Sequence, residues 1–301
     1  MSSTLTITII QTDLRWEDKA ANLQCLEEKI LSIREPTEIV ILPEMFSTGF
    51  SMKPQGLAEK MDGPTMAWMK TIAARKKIIL TGSLIIEEEG NYFNRLIWML
   101  PNGQYGYYDK RHRFAFAGEN EQYTAGHRRL IASVKGWRIL PLVCYDLRFP
   151  VWSRQTPSGL SPSDRRRPSE LGARPISNPT ADLPSVAGST GPTDLPPSLE
   201  YDLLLYVANW PERRNHAWKT LLQARAIENQ CFVVGLNRVG NDGNEIYHSG
   251  DSMIIDPLGA PLYQAGREAT IFTYTLWKEK LDETRSRFPF WRDADHFSIE
   301  L

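Results

Sequence analysis

A glutamate, a lysine and a cysteine each close an apolar or aromatic run in this 301-residue chain: "EIVILPE" ends on Glu44, "YGYYDK" on Lys110 and "RILPLVC" on Cys144. Glu119 follows Lys110 by nine residues, and Glu121, two further on, competes with it as a second carboxylate. A carboxylate at the end of a buried strand is costly unless it is paired or used. Together the three residue types suit amide cleavage. The carboxylate takes the thiol proton as the sulfur attacks, the ammonium stabilises the developing oxyanion, and the carboxylate returns the proton to the departing amine. A thioester remains, which water opens. Each residue also has a plainer reading: Glu44 pairing with a lysine, Lys110 as a solvated loop charge, Cys144 as a small hydrophobe behind Leu142 and Val143. Their order and local contexts, taken jointly, favour the chemistry.

Such residues need elements to hold them. "TLTITII" alternates Thr with Leu5, Ile7 and Ile9, the period of a strand with one buried face. Residues 16–34 place Leu23, Leu26 and Ile30 at helical spacing, with Cys25 on or beside that face, and Glu35-Pro36 stops the run. Further β-rich runs are "KIILTGSLIIEE", "NRLIWML", "YDLLLYVANW", "CFVVGLNRV", "SMIIDPLG" and "ATIFTYTL". Helical stretches at Thr65 to Lys77 and Asn215 to Asn229 lie between them. Alternation of this kind predicts an α/β protein, with hairpins at "NRLIWMLPNGQYGYYDK" and "DPLGAPL". Cys144 then falls at a strand-to-helix turn leading into "LRFPVW", where backbone N–H groups are free and a nucleophile would be rigidly held.

Composition narrows the function classes. With 42% hydrophobic and 24% charged residues the chain can bury a full core, and a net charge of -1 gives no field drawing it to nucleic acid or an anionic membrane. No apolar run is long enough to span a bilayer and "MSSTLTITII" lacks a basic leader, so a cytoplasmic location is expected. Cys25, Cys144 and Cys231 show neither a disulfide framework nor metal-ligand spacing. Residues 155–199 are dense in Pro, Ser and Gly with no aromatic residue, which predicts a flexible insertion within a single domain of residues 1–301. Its "SPSDRRRPS" is a basic, hydroxyl-rich stretch whose charge phosphorylation would alter.

The pieces "LPEMFSTGF", "YDKRHRF", "GENEQYTAG", "VCYDLRFP", "LLQARAIENQCFVVGLNRVG" and "HSGDSMIIDPLG" resemble the nitrilase, or carbon–nitrogen hydrolase, superfamily from the first strand to about residue 275, apart from the insertion. The resemblance implies a four-layer α-β-β-α sandwich that pairs into a homodimer through the helix after the nucleophile and the one at Asn215 to Asn229, with no metal or organic cofactor. It makes Glu44 the general base and acid, Lys110 the oxyanion-stabilising lysine, Cys144 the nucleophile and Glu119 the second glutamate. The backbone N–H of Tyr145 completes the oxyanion hole. "CYDLRFPVW" and "ANWPERRNHAWKTLLQARAIENQ" are most similar to the omega-amidase branch, whose substrates are the small-molecule 2-oxo acid amides 2-oxoglutaramate and 2-oxosuccinamate. Such a substrate carries a far carboxylate. Arg148 is a candidate to receive it, although it could equally pair with a protein carboxylate; Phe50, Phe116 and Trp210 are candidate pocket walls.

Nitrilases, N-carbamoyl amidohydrolases and aliphatic amidases use the same three residues, so the motif alone does not separate them. A Cys/His hydrolase would take its base from His112, His127, His216, His248 or His296, but neither a C-G-S-C-W signature nor a G-x-C-x-G elbow surrounds Cys144. A catalytically idle binding protein has no physical use for all three residues.

Overall fold

The computed structural model describes residues 3–155, 199–295 and 297–299. In chain order the first half runs β1 (Thr4–Gln11), α1 (Lys19–Ser32), β2 (Ile39–Ile41), α2 (Pro54–Leu57), α3 (Pro64–Lys76), β3 (Ile79–Glu88), β4 (Asn91–Met99) and β5 (Tyr105–Asp109). It continues through α4 (Glu119–Gln122), β6 (Ala132–Val134), β7 (Trp137–Val143), a 3-10 turn at Cys144–Arg148 and α5 (Pro150–Ser153). The second half runs β8 (Leu203–Ala208), α6 (Asn215–Asn229), β9 (Phe232–Asn237), β10 (Val239–Asn241), β11 (Tyr247–Ser249), β12 (Met253–Ile255), β13 (Pro261–Gln264), β14 (Thr270–Trp277) and α7 (Lys278–Arg287).

The strands form two six-stranded sheets, ordered β14-β1-β2-β3-β4-β5 and β13-β12-β9-β8-β7-β6. In the first, β1, β2 and β3 are parallel and β4, β5 and β14 are added antiparallel. In the second, β7, β8 and β9 are parallel with antiparallel flanks. The predicted hairpins are β4–β5 and β12–β13.

Period-two alternation sorts the side chains of β1 and β2 between two cores. Leu5, Ile7, Ile9, Ile39 and Ile41 face Ile139, Leu203, Leu205 and Val234, which share one face of the other sheet. Ile10 and Val40 face the opposite way, onto Leu26 and Ile30 of α1 and Met69, Ile72 and Ala73 of α3. On the far side Trp218, Leu222 and Ala226 of α6 cover the second sheet. Gly235 makes that approach feasible, since a Cβ there would lie 2.4 Å from Leu222 Cδ1. The result is an α-β-β-α sandwich of four layers. Among the described residues no helix is long and apolar enough to cross a membrane.

Two expectations need correction. The helix foreseen after Cys144 is a 3-10 turn that ends at Phe149, followed by the single turn of α5. Pro150 has no N–H to continue the ladder and holds Phe149 in an extended conformation. The insertion is also shorter than its composition suggested. Residues 156–198 lie outside the described residues, but Gln155 and Leu199 are buried parts of the fold. The Gln155 amide is hydrogen-bonded to Asn229 and to the Tyr201 N–H.

Candidate active site

Each sheet delivers strand ends to one edge, the position at which parallel strands commonly present reactive groups. Glu44 follows β2 and Lys110 follows β5, both in the first sheet; Cys144 follows β7 and Asn209 follows β8, both in the second. The site therefore straddles the two sheets.

Lys110 lies at its centre. Its Nζ is 3.0 Å from Glu44 Oε1 and 2.9 Å from each oxygen of Glu119, with the Phe50 ring centroid 5.0 Å away. Lys110 is 1% exposed and both carboxylates are fully buried. Burial opposes the ammonium, yet Glu119, then Glu44 and Cys144, outweigh it and push Lys110 above the usual lysine range, so it stays charged. Burial raises the Glu119 pKa, with Lys110 pulling it back and Glu44 adding to the rise. Glu119 also accepts the Phe114 N–H. Of the two competing carboxylates, the structure brings Glu119 to the lysine and leaves Glu121 exposed.

Two asparagines that sequence reasoning missed hold Glu44 still. Asn94 Nδ2 donates to Glu44 Oε1 at 2.8 Å and to Glu119 Oε1 at 3.4 Å. The Asn209 backbone N–H donates to Glu44 Oε2 at 2.8 Å, and its Nδ2 reaches the Glu44 carbonyl at 2.7 Å. Asn209 had a readable signal, because like Glu44 it is a polar side chain closing an all-apolar run. Asn94 had none that stood out from its neighbour Arg95.

Cys144 begins the 3-10 turn with φ at 45°, a left-handed conformation that a β-carbon disfavours and that nucleophile turns exploit. The turn is fixed by Asp146, which accepts from the Val143 N–H at 3.0 Å, the Tyr108 hydroxyl at 2.7 Å and the His112 backbone at 3.0 Å. One carboxylate thus ties the Cys144 turn to the loop carrying Lys110. Burial, then the Glu44 charge, push the Cys144 thiol well above its usual pKa, with Lys110 acting the other way. Tyr145 occupies the first turn, where N–H groups have no acceptor within the helix.

A cavity of about 460 Å³ opens over the cysteine. Arg148, Phe50, Phe116, Trp210 and Tyr145, all singled out from the sequence, line it. Phe116 is 82% exposed and forms the rim, while Trp210 is buried with Arg148 Cζ 5.0 Å from its ring centroid. Among the described residues Arg148 has no carboxylate partner. Two of the candidate histidines come near the site, and both are held by other groups. His112 is pinned to Asp146 and stacked on Phe149 at 3.8 Å. His248 lines the cavity but is within 3.3 Å of the Gly240 carbonyl, and burial followed by the Arg238 charge lowers its pKa to about 4.

This arrangement can be set beside known proteins. The Carbon-nitrogen hydrolase family model matches residues 6–157 and 200–286. The chain belongs to the carbon–nitrogen hydrolase family. The unmatched interval falls on the Pro/Ser-rich stretch. This carbon–nitrogen hydrolase is 38% identical over 296 residues to omega-amidase YafV of Escherichia coli strain K12, covering 98% of each chain. It is 28% identical over 293 residues to the 2-oxoglutaramate amidase of Bacillus subtilis strain 168, covering 96% of each. The crystal structure of XC1258 from Xanthomonas campestris, a CN-hydrolase superfamily protein, matches it with a TM-score of 0.85 at 42% identity over 99% of both chains. The protein is a hydrolase of carbon–nitrogen bonds, and its similarity to amidases supports amide hydrolysis.

Proposed function

We propose that the enzyme releases ammonia from the terminal amide of 2-oxo acid amides such as 2-oxoglutaramate and 2-oxosuccinamate, through a thioester on Cys144. The observation that carries this reading is the Arg148 guanidinium, which lines the same cavity as Cys144 and has no carboxylate partner among the described residues. A nitrile or a simple aliphatic amide has no use for it, whereas the far carboxylate of a 2-oxo acid does. The names of the relatives in Escherichia coli and Bacillus subtilis support the same choice.

In this reading Cys144 enters as a thiol. Glu44 removes the S–H proton as sulfur adds to the amide carbon, and the oxyanion forms between Lys110 Nζ and the Tyr145 N–H. Collapse breaks the C–N bond, and Glu44 returns its proton so that ammonia leaves. Water then adds to the thioester carbonyl with its proton passing to Glu44, and the 2-oxo dicarboxylate departs as the thiol re-forms. Glu119 and Asn94 keep Lys110 and Glu44 aligned throughout, while Phe50, Phe116 and Trp210 wall the substrate. We also infer that the chain works as a homodimer, paired across α5 and α6.

The test is ammonia release by wild type and Cys144→Ala on 2-oxoglutaramate, 2-oxosuccinamate, glutamine, a simple nitrile and an N-carbamoyl amino acid. Cys144-dependent release that is fastest from the 2-oxo amides is the expected result. A preference for the nitrile or the carbamoyl compound would transfer the same three residues to another substrate.

A further inference from the structure

The charges around the cavity divide unevenly. Its acids are engaged: Glu17 accepts from Ser51 Oγ at 2.7 Å and lies 3.6 Å from Lys53 Nζ, and Asp242 Oδ1 accepts the N–H groups of Asn244 and Ile246 at 2.8 and 3.0 Å. Its arginines are not. Among the described residues Arg148, Arg213 and Arg214 have no carboxylate partner, although all three line the cavity.

Two of them are seated on aromatic rings instead. Arg148 Cζ lies 5.0 Å from the Trp210 centroid, and Arg214 Cζ lies 5.0 Å from the Phe114 centroid. Stacking of this kind holds a guanidinium by its face and leaves the N–H groups at its edge available for a planar anion. Both seats adjoin the reacting centre. Phe114 packs edge-on against Tyr145 at 4.9 Å, beside the nucleophile, and Trp210 Nε1 donates to the Arg214 carbonyl at 2.9 Å. One connection, from β8 to α6, thus supplies Asn209 to hold Glu44, Trp210 to seat Arg148, and Arg214 itself. The pKa of Arg214 is lowered, first by burial and then by Arg213, with Arg148 adding to it, which is the mark of positive charge lacking compensation.

We propose that Arg214 is the second half of an anion clamp whose first half is Arg148, and that this pair receives the planar 2-oxo carboxylate head of the substrate and disfavours a 2-ammonium group in its place. The inference rests on the 2-oxo acid amide reading given above. A 2-oxo acid offers three oxygen acceptors near one plane and no donor, a match for two guanidinium edges. Glutamine would place an ammonium where two cations already stand, a like-charge contact that costs binding.

The experiment measures kcat and KM of the full-length enzyme, with Arg214→Gln and Arg214→Lys, on 2-oxoglutaramate, glutamine and butanamide. For Arg214→Gln, loss of one charge-assisted contact lowers kcat/KM on 2-oxoglutaramate by about 10- to 100-fold relative to butanamide, mainly through KM. The preference for 2-oxoglutaramate over glutamine narrows by about tenfold or more. Arg214→Lys recovers part of both because it keeps the charge but loses the planar edge. An equal loss on all three substrates, or unchanged ratios, would overturn the clamp. Failure of the underlying substrate reading shows in a different column: wild type itself would then prefer butanamide or glutamine, which sinks both.

Discussion

The left-handed φ of Cys144 has a counterpart beside the proposed base, where Met45, next to Glu44, adopts φ of 44°. Each such residue costs roughly 1–3 kcal/mol and persists because its surroundings impose it. Here Ser83 Oγ accepts the Met45 N–H at 2.8 Å and Asp146 fixes the cysteine turn, so the side chains proposed to react are aimed by backbone that is held in place. The resting thiol is protonated, since burial and Glu44 raise its pKa well above the ordinary value. Alkylation of Cys144 by iodoacetamide, followed by mass spectrometry, should therefore keep rising from pH 7 to pH 9, and a plateau already reached at neutral pH would contradict a buried thiol. Lys110→Ala and Glu44→Gln should each lower kcat/KM on the best amide by about a thousandfold or more, because one removes the oxyanion's charge and the other the proton carrier of both half-reactions. An active Glu44→Gln enzyme would remove the role assigned to that carboxylate. Glu44, Lys110 and Cys144 stood out because a charged or reactive group at the end of an apolar run is anomalous in itself, whereas Glu119 was singled out from Glu121 only by the family resemblance. Asn94 and Arg214 were not, since a neutral amide within a strand and an arginine among arginines acquire meaning only from what stands opposite them.

At the scale of elements, period-two and helical spacing located β1, α3 and α6 to within a few residues, because each has one apolar face to bury. The connection after Cys144 escaped that logic, its form being set by Pro150 and by Asp146 rather than by periodicity. The docking of α7 was likewise invisible, since its anchor is polar and distant in sequence. Asp202, at the start of β8, is 1% exposed and receives Lys278 Nζ at 2.5 Å, Arg285 Nη1 at 3.0 Å and the Arg138 N–H at 2.9 Å. Burial would raise its pKa, but Lys278, the Arg138 N–H and Arg285 outweigh this and lower it. A carboxylate whose folded pKa is depressed contributes stability above its unfolded pKa, near 3.9 for Asp, and loses it as pH falls through the folded value. Asp202→Asn should cost roughly 3 kcal/mol at pH 7, leaving Lys278, Arg285 and the Arg138 guanidinium without their anion. Urea unfolding checks this, and the gap between wild type and variant should shrink as pH falls below about 4; a gap independent of pH would mean that charge is not what anchors α7.

At the scale of the whole molecule, the sandwich has one outer face that its own layers leave apolar. Val151 of α5, Ile227 of α6 and Leu258 of the β12–β13 turn are 52%, 55% and 55% exposed. They share that face, because Arg154 after α5 donates to the Glu228 carbonyl and Ile227 lies against Gly259. A second copy seated here would cover the apolar side chains, and a stable pair needs about 800 Å² from each partner. The same face adjoins the point where residues 156–198 depart and return, for Gln155 is bound to Asn229 at the end of α6. Light scattering should give a dimer for the full chain, and Ile227→Asp should shift it to monomer, since a buried unpaired carboxylate on each side of a two-fold interface is strongly penalised. A chain with residues 156–198 replaced by a short Gly/Ser link should remain dimeric, the pairing being carried by α5 and α6 themselves. A monomeric full chain that becomes dimeric once the segment is removed would instead make that segment a barrier to pairing, and a monomer in both forms would leave the apolar face to some other partner.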